Sequence, residues 1–398
     1  MRYDKQGAKK ANTTRIVKKA NSYLVVETIK NYEYVTMESI ISNTGLSRPT
    51  VLKILKELTE KQLVKKAGFA ESDVGRAPVL YALNTEAYVA IGVDIDGPPV
   101  YLAVSDLSGK VLVSSKFELA IDSTIEVIQD TIELYIKKAL TELNINRDKV
   151  LGIGLGLPAS VDINSNCALN VSRLQALSNA PIAKYLEEKL NIPVLVRNDA
   201  HLIGIAEKKR LENTEELLCV VHRTGIGLAI IMENKSYEGS TGNSGFIGHM
   251  TIDCQGRACA CGFKGCLEAL ASKRAIKEIY CERTGKRLGY RQVLKLAEEN
   301  DKVAVEICEE AGYYLGIGIA NVVKTLDIHN IVISDIRCNE RHVFFKSIKK
   351  SLREHTDTFF KKTVKLYVGG LQESELALGG CNFVIDNFFV SPKLILKA

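Results

Sequence analysis

The sequence predicts a layered α/β protein with a small winged helix-turn-helix at its N-terminal end. Three observations support this. From Tyr88 onward, strand-like and helix-like runs alternate twice over, the pattern of packed α/β layers. A Gly-containing turn follows a strand at Asp94–Gly97 and again at Arg223–Gly227, which points to two related lobes with a cleft between them. The positive charge is confined to one end: residues 1–88 hold 15 Lys/Arg against 9 Asp/Glu, and the other 310 residues hold 38 of each. A basic end on a neutral body fits a polyanion-binding head on a separate core.

Length and composition set the outer limits. A chain of 398 residues has material for two or three domains. With 46% hydrophobic and 25% charged residues, it is neither disordered nor collagen-like. The basic N-terminus lacks a following apolar stretch, and no uncharged apolar run reaches the roughly 18 residues of a membrane span. A cytoplasmic protein without a membrane partner is expected.

In the head, Ile16, Ala20, Tyr23, Leu24, Val26 and Ile29 recur at helical spacing over 16–30. A second helix should start after Thr36 as N-cap, with Ser39 at N3, and stop at Gly45. A third should start after Ser47, with Pro49 in its first turn and Val51, Ile54, Leu55 and Leu58 as its apolar stripe. Ser47, Arg48, Thr50 and Lys53 then surround the start of a recognition helix. The segments LVKKAG and APVLYAL read as two strands, with AESDVGR and its Arg76 between them as a wing. A small three-helix bundle that binds protein or nothing is the competing reading.

In the body, strands are expected at YVAIGVDIDG, VYLAVSDLSGKVLVSSKFEL, VLGIGLGLPASVD, NIPVLVRNDA, LLCVVHRTGIGLAIIM (one strand), NIVISD and VKLYVGG. Helices are expected near 123–143, in PIAKYLEEKL, near 272–283, 290–299 and 302–326, and before VKLYVGG. Three Gly-containing strings, at 152–156, 224–227 and 316–320, lack the helix and acidic partner of a dinucleotide fingerprint. The last lies within a helix, where close packing explains its glycines.

The strongest chemical signal is GHMTIDCQGRACACGFKGCLE. Its His249, Cys259, Cys261 and Cys266 supply three thiolates and an imidazole, a closed tetrahedral set for a structural Zn²⁺. Gly262 and Gly265 allow the tight turns that bring Cys261 and Cys266 together. Cys254 is an alternative ligand. A loop of reduced, metal-free cysteines is the plainer reading.

With the cysteine motif ending in CGFKGCLE, the segment PVLVRNDA and the opening IGVDIDG, the chain resembles the ROK family of repressors, open reading frames and sugar kinases. The segment VGRAPVLYALN resembles the wing of the family's repressor branch. The resemblance implies a two-lobed actin-like, sugar-kinase (ribonuclease H-like) body behind a winged head. The expected division is 1–84 for the head, 85–200 for the first lobe and 201–398 for the second, with the C-terminal helix returning to the first. It further implies sugar binding by Asn198, Asp199, Glu268 and His249, with Asp199 as base if phosphoryl transfer survives.

Departures from the family pattern fall on the phosphate side. An Asp-Gly-Gly-Thr loop is replaced by Asp94-Ile95-Asp96-Gly97-Pro98-Pro99, which loses backbone N–H donors to proline. A Gly-Thr-Gly loop reads Arg223-Thr224-Gly225, and a late Gly-Gly reads Ser334-Asp335. ATP binding is therefore not expected. On the sugar side a glutamate is replaced by Phe246, which either stacks on a sugar or fills the cleft. The resulting expectation is a non-enzymatic, DNA-binding repressor of carbohydrate genes, a homodimer or tetramer on duplex operator DNA with a sugar-type effector. An ATP-dependent sugar kinase is the rival.

Overall fold

The computed structural model describes residues 9–71, 77–171, 173–211, 214–361 and 363–390. The helices Lys9–Lys30, Met37–Thr44 and Arg48–Glu60 build the head, closed by a small sheet in which Val79–Leu83 lies between Val35–Thr36 and Val64–Phe69. Thr36 caps the second helix as expected, accepting a hydrogen bond from the Ser39 amide at 3.1 Å. Gly45 closes that helix at φ 67°, a conformation that costs glycine little. Ser47 occupies the N-cap of the third helix, but its hydroxyl pairs with the Thr50 hydroxyl at 2.9 Å and makes no bond to backbone. Pro49, with no N–H to offer in that turn, removes one of the two usual partners.

The body contains two five-stranded sheets of the same design. In the first, the order is Val194–Asn198, Val150–Leu157, Val89–Asp94, Val100–Asp106, Val111–Phe117. The first three of these run parallel, and the other two continue antiparallel from Val89–Asp94. In the second, Lys365–Val368, Asn330–Ser334 and Leu217–His222 form the parallel part, followed by antiparallel Ile226–Met232 and Lys235–Ser236. The segment 217–232, expected as one strand, is thus a hairpin that turns at Arg223–Gly225. A small hairpin, Ala159–Asp162 with Cys167–Val171, projects beyond the first sheet.

Glycine strings in both lobes serve close packing. A Cβ on Gly154 would stand 2.3 Å from the Gly380 carbonyl oxygen, so the strand Val150–Leu157 admits the C-terminal helix Leu378–Val390 at backbone distance. Within the helix Lys302–Leu326, a Cβ on Gly316 would meet Ser351 at 2.6 Å. The helix Leu378–Val390 also changes the expected separation of the head. Its Val384, Ile385, Phe388 and Phe389 share one apolar core with Val25, Val26 and Ile29 of the head. This helix is buried on nearly every side, so one face covers the first sheet and the other receives the head. No described helix is long and apolar enough to cross a membrane.

Candidate functional site

The parallel strands of each lobe end at the same edge of their sheet. Asp94 ends one strand of the first lobe, and Asn198, opposite Leu157, ends another before the helix Asp199–Arg210. In the second lobe Arg223 follows His222 and Asp335 follows Ser334, at the ends of neighbouring parallel strands. Open α/β sheets place their ligands beyond such carboxyl edges. Here the two edges meet.

They meet through Arg223. Its guanidinium donates to both oxygens of Asp94, at 3.1 and 2.7 Å, and to Asp199 Oδ2 at 3.1 Å. Its Nε lies 3.5 Å from Asp335 Oδ2. Arg223 is only 4% exposed, so these charges are matched away from water. Lys273 donates to Asp335 at 2.9 Å, and Arg337 pairs with the same carboxylate.

Protonation follows from this enclosure. Burial would depress the Arg223 pKa, but Asp94, Asp96 and Asp199 hold it well above the ordinary value. Burial pushes Asp335 up, yet Arg223, Lys273 and Arg337 together keep it below the ordinary value. For Asp94 burial outweighs Arg223, and its pKa rises. Asp96 has no carboxylate-to-guanidinium hydrogen bond of this kind, and burial lifts it to about 7.

A second arginine closes the neighbouring loop. Arg173 Nη1 donates to the Asp96 carbonyl at 3.4 Å and to Thr224 Oγ1 at 3.3 Å, linking the loop at 94–99 to the turn at 223–225. Gly97 packs against this guanidinium, and a Cβ there would come within 2.6 Å of it. Arg223 is marked in the sequence as a departure from the family pattern, but nothing local announces its ion pairs. Arg173 carries no signal in the sequence, because no motif surrounds it.

Of the residues expected to bind sugar, Asp199, Asn198 and Glu268 already have polar partners. Asn198 caps its helix by accepting from the Ala200 amide at 3.0 Å and donates to the Ala159 carbonyl at 3.1 Å. Glu268 accepts from Arg274 at 3.0 Å and from the Ile226 amide at 3.4 Å. Phe246 is 41% exposed, with its ring centroid 6.2 Å from that of His249. His249 joins this region to the cysteine cluster.

The side chains of His249, Cys259, Cys261 and Cys266 offer ligand atoms all within 4.8 Å of one another. Cys261 and Cys266 sulfurs are 3.6 Å apart, and Cys259 sulfur is 3.8 Å from His249 Nδ1. A tetrahedron of roughly 2.3 Å metal–sulfur bonds has edges of about 3.8 Å. The donor set and spacing therefore fit a four-coordinate metal ion. Gly265 holds the turn at φ 68°, where a Cβ would strike the Asp253 carbonyl oxygen at 1.5 Å. Cys254 is exposed and is not in this group.

On the head, the outer face of Arg48–Glu60 presents Ser47, Arg48, Leu52, Lys53 and Lys56 to solvent, with Thr50 half-buried. Arg48 is paired with Glu38 at 3.2 Å across the turn between helices. Arg76, expected at the wing tip, lies outside the described residues.

The ROK family model matches residues 90–387. The chain is 27% identical to the xylose repressor of Bacillus spizizenii over 95% of its length and 98% of that protein's. It is 28% identical to the DNA-binding transcriptional dual regulator NagC of Escherichia coli, over 80% of this chain and 81% of that one. A ROK family transcriptional regulator, a homologue of the E. coli MLC protein, superposes with a TM-score of 0.84 at 21% identity, covering 96% of this chain and all of its own. A ROK family glucokinase from Streptomyces griseus, in complex with glucose and AMPPNP, superposes at 0.65 with 24% identity, over 74% of this chain and 98% of its own. At such identities the structural likenesses establish the fold.

Proposed function

From the premise that the chain belongs to the ROK family, we propose that it is a DNA-binding transcriptional repressor and not a kinase. It would control carbohydrate-utilisation genes in response to a sugar-type effector in the interlobe cleft. The observation that carries the reading is Arg223. Its guanidinium stands between Asp94 and Asp199, with Nη1 at 3.1 Å from an oxygen of each, in the loop where a kinase of this family receives phosphate. Asp199 is occupied by an ion pair in place of a substrate hydroxyl, and Asp335 adds negative charge where a nucleotide would bring more.

The relatives named xylose repressor and NagC, matched over most of their length, support the regulatory side of the reading. Ser47, Arg48, Thr50 and Lys53 would meet the major groove, with Arg76 reaching the backbone or minor groove from the wing. One such head covers little DNA, so a homodimer on a two-fold operator is proposed. Asp199, His249, Glu268, Asn198 and Phe246 would line the effector site. The metal would be Zn²⁺, held by His249, Cys259, Cys261 and Cys266 to order the loop that carries Glu268. Residues 1–84, 85–200 and 201–398 are the proposed head and lobes, with the last helix returned to the first lobe.

The test has two arms on the full chain. Duplexes selected from a random library should be retained with a salt-sensitive affinity, and Lys53→Ala should lower the salt slope by about one. ADP release in the presence of ATP and D-xylose, D-glucose or N-acetylglucosamine should stay at background. Failure to retain any duplex at low salt, or turnover abolished by Asp199→Ala, would overturn the proposal.

A further inference from the structure

The helix Asp199–Arg210 touches both the cleft and the scaffold of the head. Its first residue is paired with Arg223. Two turns later Glu207, 2% exposed, accepts from the Ser334 hydroxyl at 2.7 Å and from the Gly370 amide at 3.2 Å, fixing the helix to the second lobe. Its other side lies against the C-terminal helix at backbone distance, since a Cβ on Gly379 would stand 2.0 Å from the Leu202 carbonyl oxygen. Near its end, Lys209 donates to Asn382 at 3.1 Å and lies 3.5 Å from Asp386 Oδ1.

That same oxygen is 3.3 Å from the ammonium of Lys30, which belongs to the head. Lys30 is also held by Glu27 at 2.9 Å and lies over the Phe389 ring at 5.6 Å from its centroid. One carboxylate oxygen thus serves two cations, one from the cleft helix and one from the head. Movement of Lys209 alters the charge that Lys30 experiences, and partial burial limits screening by salt.

We propose that Asp386 is a coupling junction that makes the packing of the DNA-binding head depend on the state of the interlobe cleft. The inference rests on the regulatory reading above for its purpose, but its physical content concerns this chain alone. Release of Arg223 from Asp199 frees the start of the helix. The rigid helix Asp199–Arg210 carries that displacement over ten residues, about 15 Å, to Lys209. The Lys209–Asp386–Lys30 contacts then redistribute, and the head helix loosens or tightens on the C-terminal helix. Each ion pair contributes little to stability on its own; sharing one acceptor is what makes the two cations interdependent.

Hydrogen exchange of the full chain, without DNA or sugar, tests this. Arg223→Gln should accelerate exchange in peptides covering residues 17–30 by about threefold or more, the range expected for neighbours in one ion-pair network. In an Asp386→Asn background, the same substitution should change those rates less than about twofold. The exposed-end variant Lys209→Gln, which leaves the buried cluster intact, should show the same dependence on Asp386 and serves where Arg223→Gln does not fold. Equal effects of both substitutions in the parent and Asp386→Asn backgrounds, or no effect on residues 17–30, overturn the proposal. Absence of DNA retention overturns the regulatory reading and leaves this exchange result standing.

Discussion

A guanidinium removed from water requires carboxylates close by, and the carboxylates around Arg223 have environments that differ. Asp94 and Asp199 hydrogen-bond to it directly, whereas Asp335 also draws on Lys273 and Arg337. Asp96 is left with the least compensation, and burial raises it to about 7. A carboxylate raised in the folded state binds a proton that the unfolded chain has already released. Stability attributable to Asp96 therefore falls as pH rises from the ordinary carboxylate range to about 7, and is level above that. Asp96→Asn should raise the melting temperature at pH 8 and leave it close to that of the parent near pH 4. Calorimetry of the pair across that range checks this, and a constant difference would place the strain elsewhere. The departure from the family's phosphate-loop pattern was legible at this scale from Asp94-Ile95-Asp96-Gly97-Pro98-Pro99 and Arg223-Thr224-Gly225. How the replacing residues pair was not, because Arg223, beside Asp335, meets the aspartates of the first lobe, and Arg173 meets Thr224, only when two sheets face each other.

Single elements were legible where local chemistry specifies them. Thr36 and Gly45 bound their helix as their side chain and missing Cβ require, and the stripe Val51, Ile54, Leu55, Leu58 is buried as its spacing demands. The run 217–232 misled, since both its strands are almost wholly buried and only Arg223-Thr224-Gly225 marks the turn. The metal loop is the opposite case: short spacing among Cys259, Cys261 and Cys266 nearly fixes the geometry, and His249 arrives from a tight turn of helix. Its regular structure is slight, consisting of isolated bridges such as Thr251 with Cys266 and Ala258 with Lys264. Metal binding should then provide much of its order. Chromogenic release assays should find one zinc per chain, and Cys261→Ser should reduce this sharply while exposing residues 250–266 to proteolysis. A metal-free protein with an equally protected loop would refute the assignment.

At the scale of the whole molecule, the head and first lobe depend on one helix. The repeated turn after a strand made two lobes legible in the sequence, and the charge division marked the head. Their fusion was not legible: Lys30 and Asp386 are 356 residues apart in sequence, and no local pattern reports contacts of that range. Phe388 shows what the fusion implies. It is 3% exposed, sits in the core shared with Val25, Val26 and Ile29, and contacts Tyr88 with ring centroids 6.0 Å apart. Removing its ring leaves a cavity touching both units, and Phe388→Ala should cost about 3–5 kcal/mol. Head and first lobe should therefore lose protection together, read by hydrogen exchange of residues 51–58 and 150–157 during thermal unfolding. The parent should show one common transition for these two segments, moved to lower temperature in the variant. A head that melts earlier than the lobe in the parent chain, or a variant that loosens only one of them, would mean that the helix Leu378–Val390 supports the two units independently.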